Sequence, residues 1–78
     1  MFSVYPNPNE GTFHISMNTK DYTLKDIFIY DILGNEVYQN LKTDKSDLDF
    51  DISQNAKGVY FVKVVNEGKV SVSRVVYM

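Results

Sequence analysis

The 78-residue chain has no cysteine, 8 Lys and Arg against 10 Asp and Glu, and a net charge of −2. These counts exclude a disulfide staple, a zinc–thiolate site and a basic face for phosphate backbones, so no nucleic-acid partner is expected. The length gives one small domain with a thin core, needing nearly every apolar side chain and leaving little for a catalytic cleft.

Ten Val and five Ile stand against four Leu and one Ala, with six Tyr and five Phe alongside. β-Branched and aromatic side chains fit a pleated, half-buried surface, whereas Leu and Ala are the better helix formers, so the composition predicts an all-β chain. Met1 to Pro6 lacks the basic and apolar regions of a signal peptide. No apolar run approaches the ~20 residues of a membrane helix, so no membrane-spanning segment is expected.

Phe2 to Tyr5 reads as a first strand, ended by Pro6-Asn7-Pro8-Asn9-Glu10-Gly11. Two prolines fix φ and remove two donors, so that segment cannot lie inside a sheet. Thr12 to Asn18 alternates, with Phe13, Ile15 and Met17 on one face and Thr12, His14 and Ser16 on the other. After the polar stretch Asn18 to Thr23, Leu24 to Tyr30 forms a third strand. Ile27 and Ile29 oppose Phe28 and Tyr30 there, so both faces are at least partly covered. Asp31-Ile32-Leu33-Gly34-Asn35 reads as a hairpin connection, with Gly34 or Asn35 at positive φ. Glu36 to Leu41 returns as the fourth strand, and Lys42 to Asp47 reads as a loop.

Leu48, Phe50 and Ile52 alternate with Asp49 and Asp51, giving a fifth strand with one wet face. Ser53 to Gly58 crosses over, with room for one helical turn. Val59 to Val65 is strongly β-forming, with Tyr60, Val62 and Val64 on one face and Val59, Phe61, Lys63 and Val65 on the other. Asn66-Glu67-Gly68-Lys69 is a hairpin turn with Gly68 left-handed, and Val70 to Tyr77 is a seventh strand. Simple alternation puts Arg74 beside Val70 and Val72. Either Arg74 lies at the rim with its stem buried, the preferred reading, or a bulge near Ser73 resets the register. Strands alternating with turn clusters at this spacing are the pattern of a sandwich or barrel. No internal repeat or linker divides residues 1–78.

Catalysis needs a nucleophile, a base and a stabiliser brought together. The single histidine, His14, lies on a solvent face and reads as a surface imidazole. Nothing resembles a nucleophile elbow, a phosphate loop or a zinc-protease helix, so no enzyme, catalytic residue or cofactor is expected. The acidic run Asp44 to Asp51 suggests calcium, but it lacks the glycine after the third ligand and the later bidentate Glu. On a strand its carboxylates form a row spaced roughly 7 Å apart, which is no cage, so no metal is expected. Tyr22, Tyr38 and Tyr77 could offer stacking faces to a glycan.

Three fragments occur in order. They are Val4-Tyr5-Pro6-Asn7-Pro8-Asn9-Glu10-Gly11-Thr12-Phe13, then Ile27-Phe28-Ile29-Tyr30-Asp31-Ile32-Leu33-Gly34-Asn35-Glu36-Val37. The third is Asp51-Ile52-Ser53 with Gly58-Val59-Tyr60-Phe61-Val62-Lys63-Val64 and the basic-then-apolar Arg74-Val75-Val76. Together they resemble the C-terminal sorting domain, type A, of the type IX (Por) secretion system, over nearly the whole chain. The resemblance implies a seven-stranded immunoglobulin-like antiparallel β-sandwich. It also implies a domain that ends a larger secreted precursor, from which these residues would be excised.

In that family an N-terminal signal peptide takes the cargo to the periplasm. The type IX translocon then recognises the folded domain and moves the cargo across the outer membrane, to the cell surface or beyond. A sortase-like surface protease commonly removes the domain. The implied motif positions are Pro6, Asn7, Pro8 and Gly11; Tyr30, Asp31 and Gly34; and Gly58, Tyr60, Val62, Lys63 and Arg74. Many members carry Lys where Arg74 stands. Most of these positions also have a purely structural reading, as strand ends, turns or core. Lys63, Arg74 and the final strand, whose edge could accept a partner strand, are the candidates for direct contact. The rival reading is an immunoglobulin-like glycan- or protein-binding module, with the tyrosines and the acidic strand as its surface. The identity of the cargo and the oligomeric state are not set by the sequence.

Overall fold

A computed structural model describes residues 2–17 and 23–78. Seven strands follow one another: β1 (Phe2–Tyr5), β2 (Thr12–Met17), β3 (Lys25–Asp31), β4 (Glu36–Thr43), β5 (Asp47–Asp51), β6 (Gly58–Asn66) and β7 (Lys69–Tyr77). They form a three-stranded sheet, β1-β2-β5, and a four-stranded sheet, β4-β3-β6-β7. All neighbours within the sheets are antiparallel. The all-β sandwich expected from period-two alternation is therefore the fold.

The core lies between the sheets. Phe13 and Ile15 of β2, Leu48 and Phe50 of β5, and Ile52 face Ile27, Ile29, Tyr60, Val62, Val64, Val75 and Tyr77. Each is an alternate residue of its strand, so the sequence pattern and the pleat agree. Burying one such Val, Leu, Ile or Phe side chain stabilises the fold by about 1.5–3 kcal/mol. Phe13 and Phe50 are direct cross-strand partners, and their rings stack at 5.9 Å.

Three expectations are corrected. β4 continues to Thr43, into the expected loop, because the Asp26 carboxylate accepts the Lys42 amide at 2.9 Å where Lys42 takes a φ of 53°. Residues 53–58 hold no helical turn. Asp51 Oδ1 accepts the Ser53 amide at 2.8 Å, and a single turn bond joins the Asn55 amide to the Ile52 carbonyl at 2.9 Å. An aspartate bonding two residues ahead sets a tight turn in place of a helix.

The third correction concerns β7. Its register with β6 is unbroken from Gly58↔Tyr77 to Asn66↔Lys69, which excludes a bulge near Ser73. Val75 and Tyr77 are buried, and Ser71 and Ser73 share their face. Val70, Val72 and Arg74 all point outward, with Val70 and Val72 60% and 59% exposed. Arg74 is exposed as well, on the same outer face. The valines it was aligned with are surface residues, and the conflict disappears.

Both hairpins form where expected. Gly34 has a φ of 87°, and Glu67 and Gly68 take 52° and 78°, the double positive φ of a two-residue hairpin loop. The expected end of the second strand at Asn18, and Tyr22, lie outside the described residues. Among the described residues no helix is long and apolar enough to cross a membrane.

Candidate functional site

The segment from Pro6 to Gly11 does more than end β1. It folds across the sandwich and lies along the C-terminal half of β7. Pro6 and Pro8 both follow cis peptide bonds. Between them, Asn7 donates from Nδ2 to the Arg74 carbonyl at 2.8 Å and accepts the Val76 amide on Oδ1 at 2.9 Å. One side-chain amide thus stands in for the peptide group of a neighbouring strand.

Asn9 then supplies a true backbone bridge beside Tyr77. Its amide donates to the Val76 carbonyl and its carbonyl accepts the Met78 amide, both at 2.9 Å. The Asn9 side chain is buried; Oδ1 accepts the Gly11 amide at 2.9 Å and Nδ2 donates to the Pro6 carbonyl at 3.3 Å. Gly11 is buried at φ 111°, and its carbonyl accepts the Ile52 amide at 2.7 Å. A Cβ at Gly11 would meet Ser53 Cβ at 2.9 Å and the Tyr77 ring at 3.2 Å. Asn9 was missed as a site residue. The available signal was an Asn two residues before a Gly, the spacing at which its side chain bonds the backbone ahead.

Tyr30, Asp31 and Gly34 belong to the β3–β4 hairpin. Asp31 Oδ1 accepts the Asn35 and Leu33 amides at 2.8 and 2.9 Å, and Oδ2 accepts Asn35 Nδ2 at 3.2 Å. These donors, the Asn35 amide foremost, hold the Asp31 carboxyl below the usual carboxylate range. Asp31 is therefore occupied in shaping its own turn. Gly34 has open space around it, so only its φ calls for glycine.

The last group divides between core and surface. Val62 is fully buried, and Tyr60 is buried with its hydroxyl donating to the Ala56 carbonyl. Burial first, then the Asp31 charge, pushes the Tyr60 phenol up. Gly58 opens β6 opposite Tyr77.

Lys63 and Arg74 lie on the outer face of the four-stranded sheet. Lys63 Nζ sits 5.1 Å from the Phe28 ring centroid and 5.5 Å from that of Tyr30, and the two rings stack at 6.2 Å. A cation over stacked rings is held by their negative faces. Lys63 pairs with Val72 across the ladder, and Arg74 pairs with Phe61. The fold therefore brings Tyr30 together with Lys63, and Asn7 together with Arg74, across all three motifs. Asp31 pairs with Tyr60 across the β3–β6 ladder, and Gly34 stays apart at the hairpin tip.

Chemistry elsewhere is sparse. His14 bridges β2 to β5, with Nδ1 2.7 Å from Asp49 Oδ1 and Nε2 3.2 Å from Asp47 Oδ1. The Asp49 bond, then the Asp47 bond, raises the imidazole pKa above 6.5. Among the described residues no group of carboxylates and imidazoles converges as a metal site. Of the tyrosines proposed for a glycan, Tyr77 is buried against Gly11, while Tyr38 is exposed with its edge on Phe50 at 4.9 Å. Tyr77 therefore offers no stacking face.

A family model described as "Secretion system C-terminal sorting domain" matches residues 3–78. Among solved structures, the chain is similar to a DUF3244-family protein from Bacteroides vulgatus with an immunoglobulin-like β-sandwich fold. The TM-score is 0.80 at 14% identity, covering 96% of this chain and 81% of that one. That likeness shows the fold. No curated protein matches the chain.

Proposed function

Since the chain belongs to the secretion system C-terminal sorting domain family, we propose that it works as a folded address, read by other proteins and performing no catalysis of its own. The domain is a C-terminal sorting signal of the type IX system. It serves an attached cargo that the type IX machinery carries to the cell surface or the extracellular space.

Further steps belong to our reading. The cargo passes through the periplasm, the translocon engages the sandwich in its folded form, and a sortase-like surface protease then removes it from the cargo. The twelve motif positions divide by role in this reading. Pro6, Asn7, Pro8, Gly11, Asp31, Gly34, Gly58, Tyr60 and Val62 keep the shape, while Tyr30, Lys63 and Arg74 belong to the recognised surface. The observation that carries the reading is the family match over residues 3–78. The stitching of Pro6 to Gly11 onto β7 supports it, because that stitching makes the motif set a single folded object.

The test is fusion of residues 1–78 to the C-terminus of a periplasmic reporter in a host with a type IX system. The reporter is expected outside the cell. If it stays periplasmic while an established sorting domain exports the same reporter, the reading fails. Deleting Ser73 to Met78 should abolish export, with circular dichroism on the same variant reporting whether the sandwich survives.

A further inference from the structure

We propose that the outer edge of β7 between Val70 and Arg74 is a strand-addition site for an extended partner segment that carries, along one face, apolar side chains opposite Val70 and Val72 and a carboxylate opposite Arg74. The inference rests on the sorting reading and names the surface by which the domain is recognised.

The phase of the β7 backbone is fixed by what already binds its other half. The Arg74 carbonyl and the Val76 amide face outward to Asn7, and the Val76 carbonyl faces outward to Asn9. Outward and inward groups alternate along an antiparallel strand, so the amides and carbonyls of Val70 and Val72 also face out. Among the described residues, no hydrogen bond reaches them; β7 pairs with β6 along its length and meets Asn9 only beside Tyr77. Among the described residues, Pro6 to Gly11 thus covers one half of the sheet edge, while the outward groups of Val70 and Val72 take no hydrogen bond. The available stretch is roughly five residues, on the order of 17 Å, enough for a short strand.

The side chains beside this edge specify what would fit. Val70 and Val72 are 60% and 59% exposed, without the bulge, proline or inward charge that usually blunts an apolar edge. On β6, Val65 continues the apolar surface opposite Val70, and Phe61 does so opposite Arg74. The charges set into this surface are all positive. On this face β6 and β7 hold Lys63 and Arg74 and no carboxylate, in a chain of net charge −2. Among the described residues the ion pairs are those of His14 alone, so these cations have no acidic partner. A second copy added edge to edge would bring another Arg74 to this edge and no carboxylate to meet either. A partner segment with carboxylates opposite Arg74 and apolar groups opposite Val70 and Val72 satisfies both features.

The experiment is the reporter fusion carried through point variants. Arg74→Glu inverts the charge while leaving the carbonyl that Asn7 binds. Val72→Pro removes only an outward amide and no bond to β6. Both should lower the exported fraction by about tenfold or more, while Leu33→Lys, at a hairpin tip, should export like the parent. Circular dichroism and the thermal midpoint establish that each variant is folded. Should Val72→Pro fail to fold, Val72→Glu, at an exposed position, takes its place and should also block export. Normal export by folded Arg74→Glu, or by the folded Val72 variant, overturns strand addition of an acidic segment. Failure of the parent domain to export its reporter overturns instead the sorting reading.

Discussion

Gly11→Ala isolates the point where the first motif meets the core. The backbone there has φ 111°, a region in which a side chain costs about 1–2 kcal/mol. The new Cβ would lie 2.9 Å from Ser53 Cβ, 3.0 Å from Ser53 Cα and 3.2 Å from the Tyr77 ring. Two of those neighbours cannot rotate away, since one is backbone and the other sits on it. Overpacking a closed site of this kind costs about 1–3 kcal/mol more. The total is about 2–5 kcal/mol, against the roughly 4–12 kcal/mol expected for a domain of this size. A loss of that order lowers the thermal midpoint by about 12–30 °C. Gly34→Ala is the matched control, because Gly34 has φ 87° and nothing within 4 Å of a Cβ. It should lose only the conformational part, about 5–12 °C. Thermal melts followed by circular dichroism compare the two. Equal losses at Gly11 and Gly34 would refute the steric half of the reasoning.

Asn7→Ala removes two bonds to the β7 edge and should destabilise the domain by about 1–2 kcal/mol. Hydrogen exchange should quicken at the Val76 amide and stay unchanged at Val62, and equal protection at Val76 would count against the contact. His14 gives a pH dependence whose sign follows from its raised pKa. Its ion pairs stabilise fully below 6.5, the ordinary value, and that contribution is lost as pH rises through the higher folded value. Urea unfolding at about pH 5.5 and about pH 8 should show the loss in the parent and not in His14→Gln, and an identical slope in both would refute it. By the order of causes, Asp49→Asn should lower the His14 pKa more than Asp47→Asn, as read by NMR titration. Tyr60→Phe leaves the Ala56 carbonyl without its donor and should cost about 1–3 kcal/mol in denaturant, and a neutral effect would show that water replaces the hydroxyl.

How far the sequence spoke depended on how local each signal was. β5 was legible because Leu48 and Phe50 alternate with three aspartates, and one period-two pattern defines both faces. The hairpins were legible from Gly34 and Gly68, because positive φ is a property of single residues. The clasp was not. Asn7 bonds to residues 67 and 69 positions away, and no window of sequence joins a side-chain amide to one stretch of strand edge.

β7 misled for a different reason. Its valines suggest burial, yet its first half closes a polar end of the sandwich. A hollow of about 100 Å³ lies there, lined by Phe2, Met17, Lys25, Val64, Asn66, Lys69 and Ser71. Lys25 occupies an inward position in phase with Ile27 and Ile29, and its ammonium donates to the Thr23 and Lys45 carbonyls at 3.1 and 3.3 Å. Those acceptors come from loops, so the pattern places Lys25 inward without revealing what receives its charge.

The clasp between Pro6–Gly11 and β7 also governs when the domain can exist. A ribosome adds about 5–20 residues per second, so Asn7 waits several seconds before Arg74 and Val76 emerge. Joining positions 67 residues apart then costs on the order of 4 kcal/mol of chain entropy, recovered only once β6 and β7 have paired. A polypeptide stopped short of residue 74 carries the first motif with nothing for it to hold. The clasp therefore closes only in a chain synthesised past residue 76, and the first motif takes its folded shape after β7 has emerged.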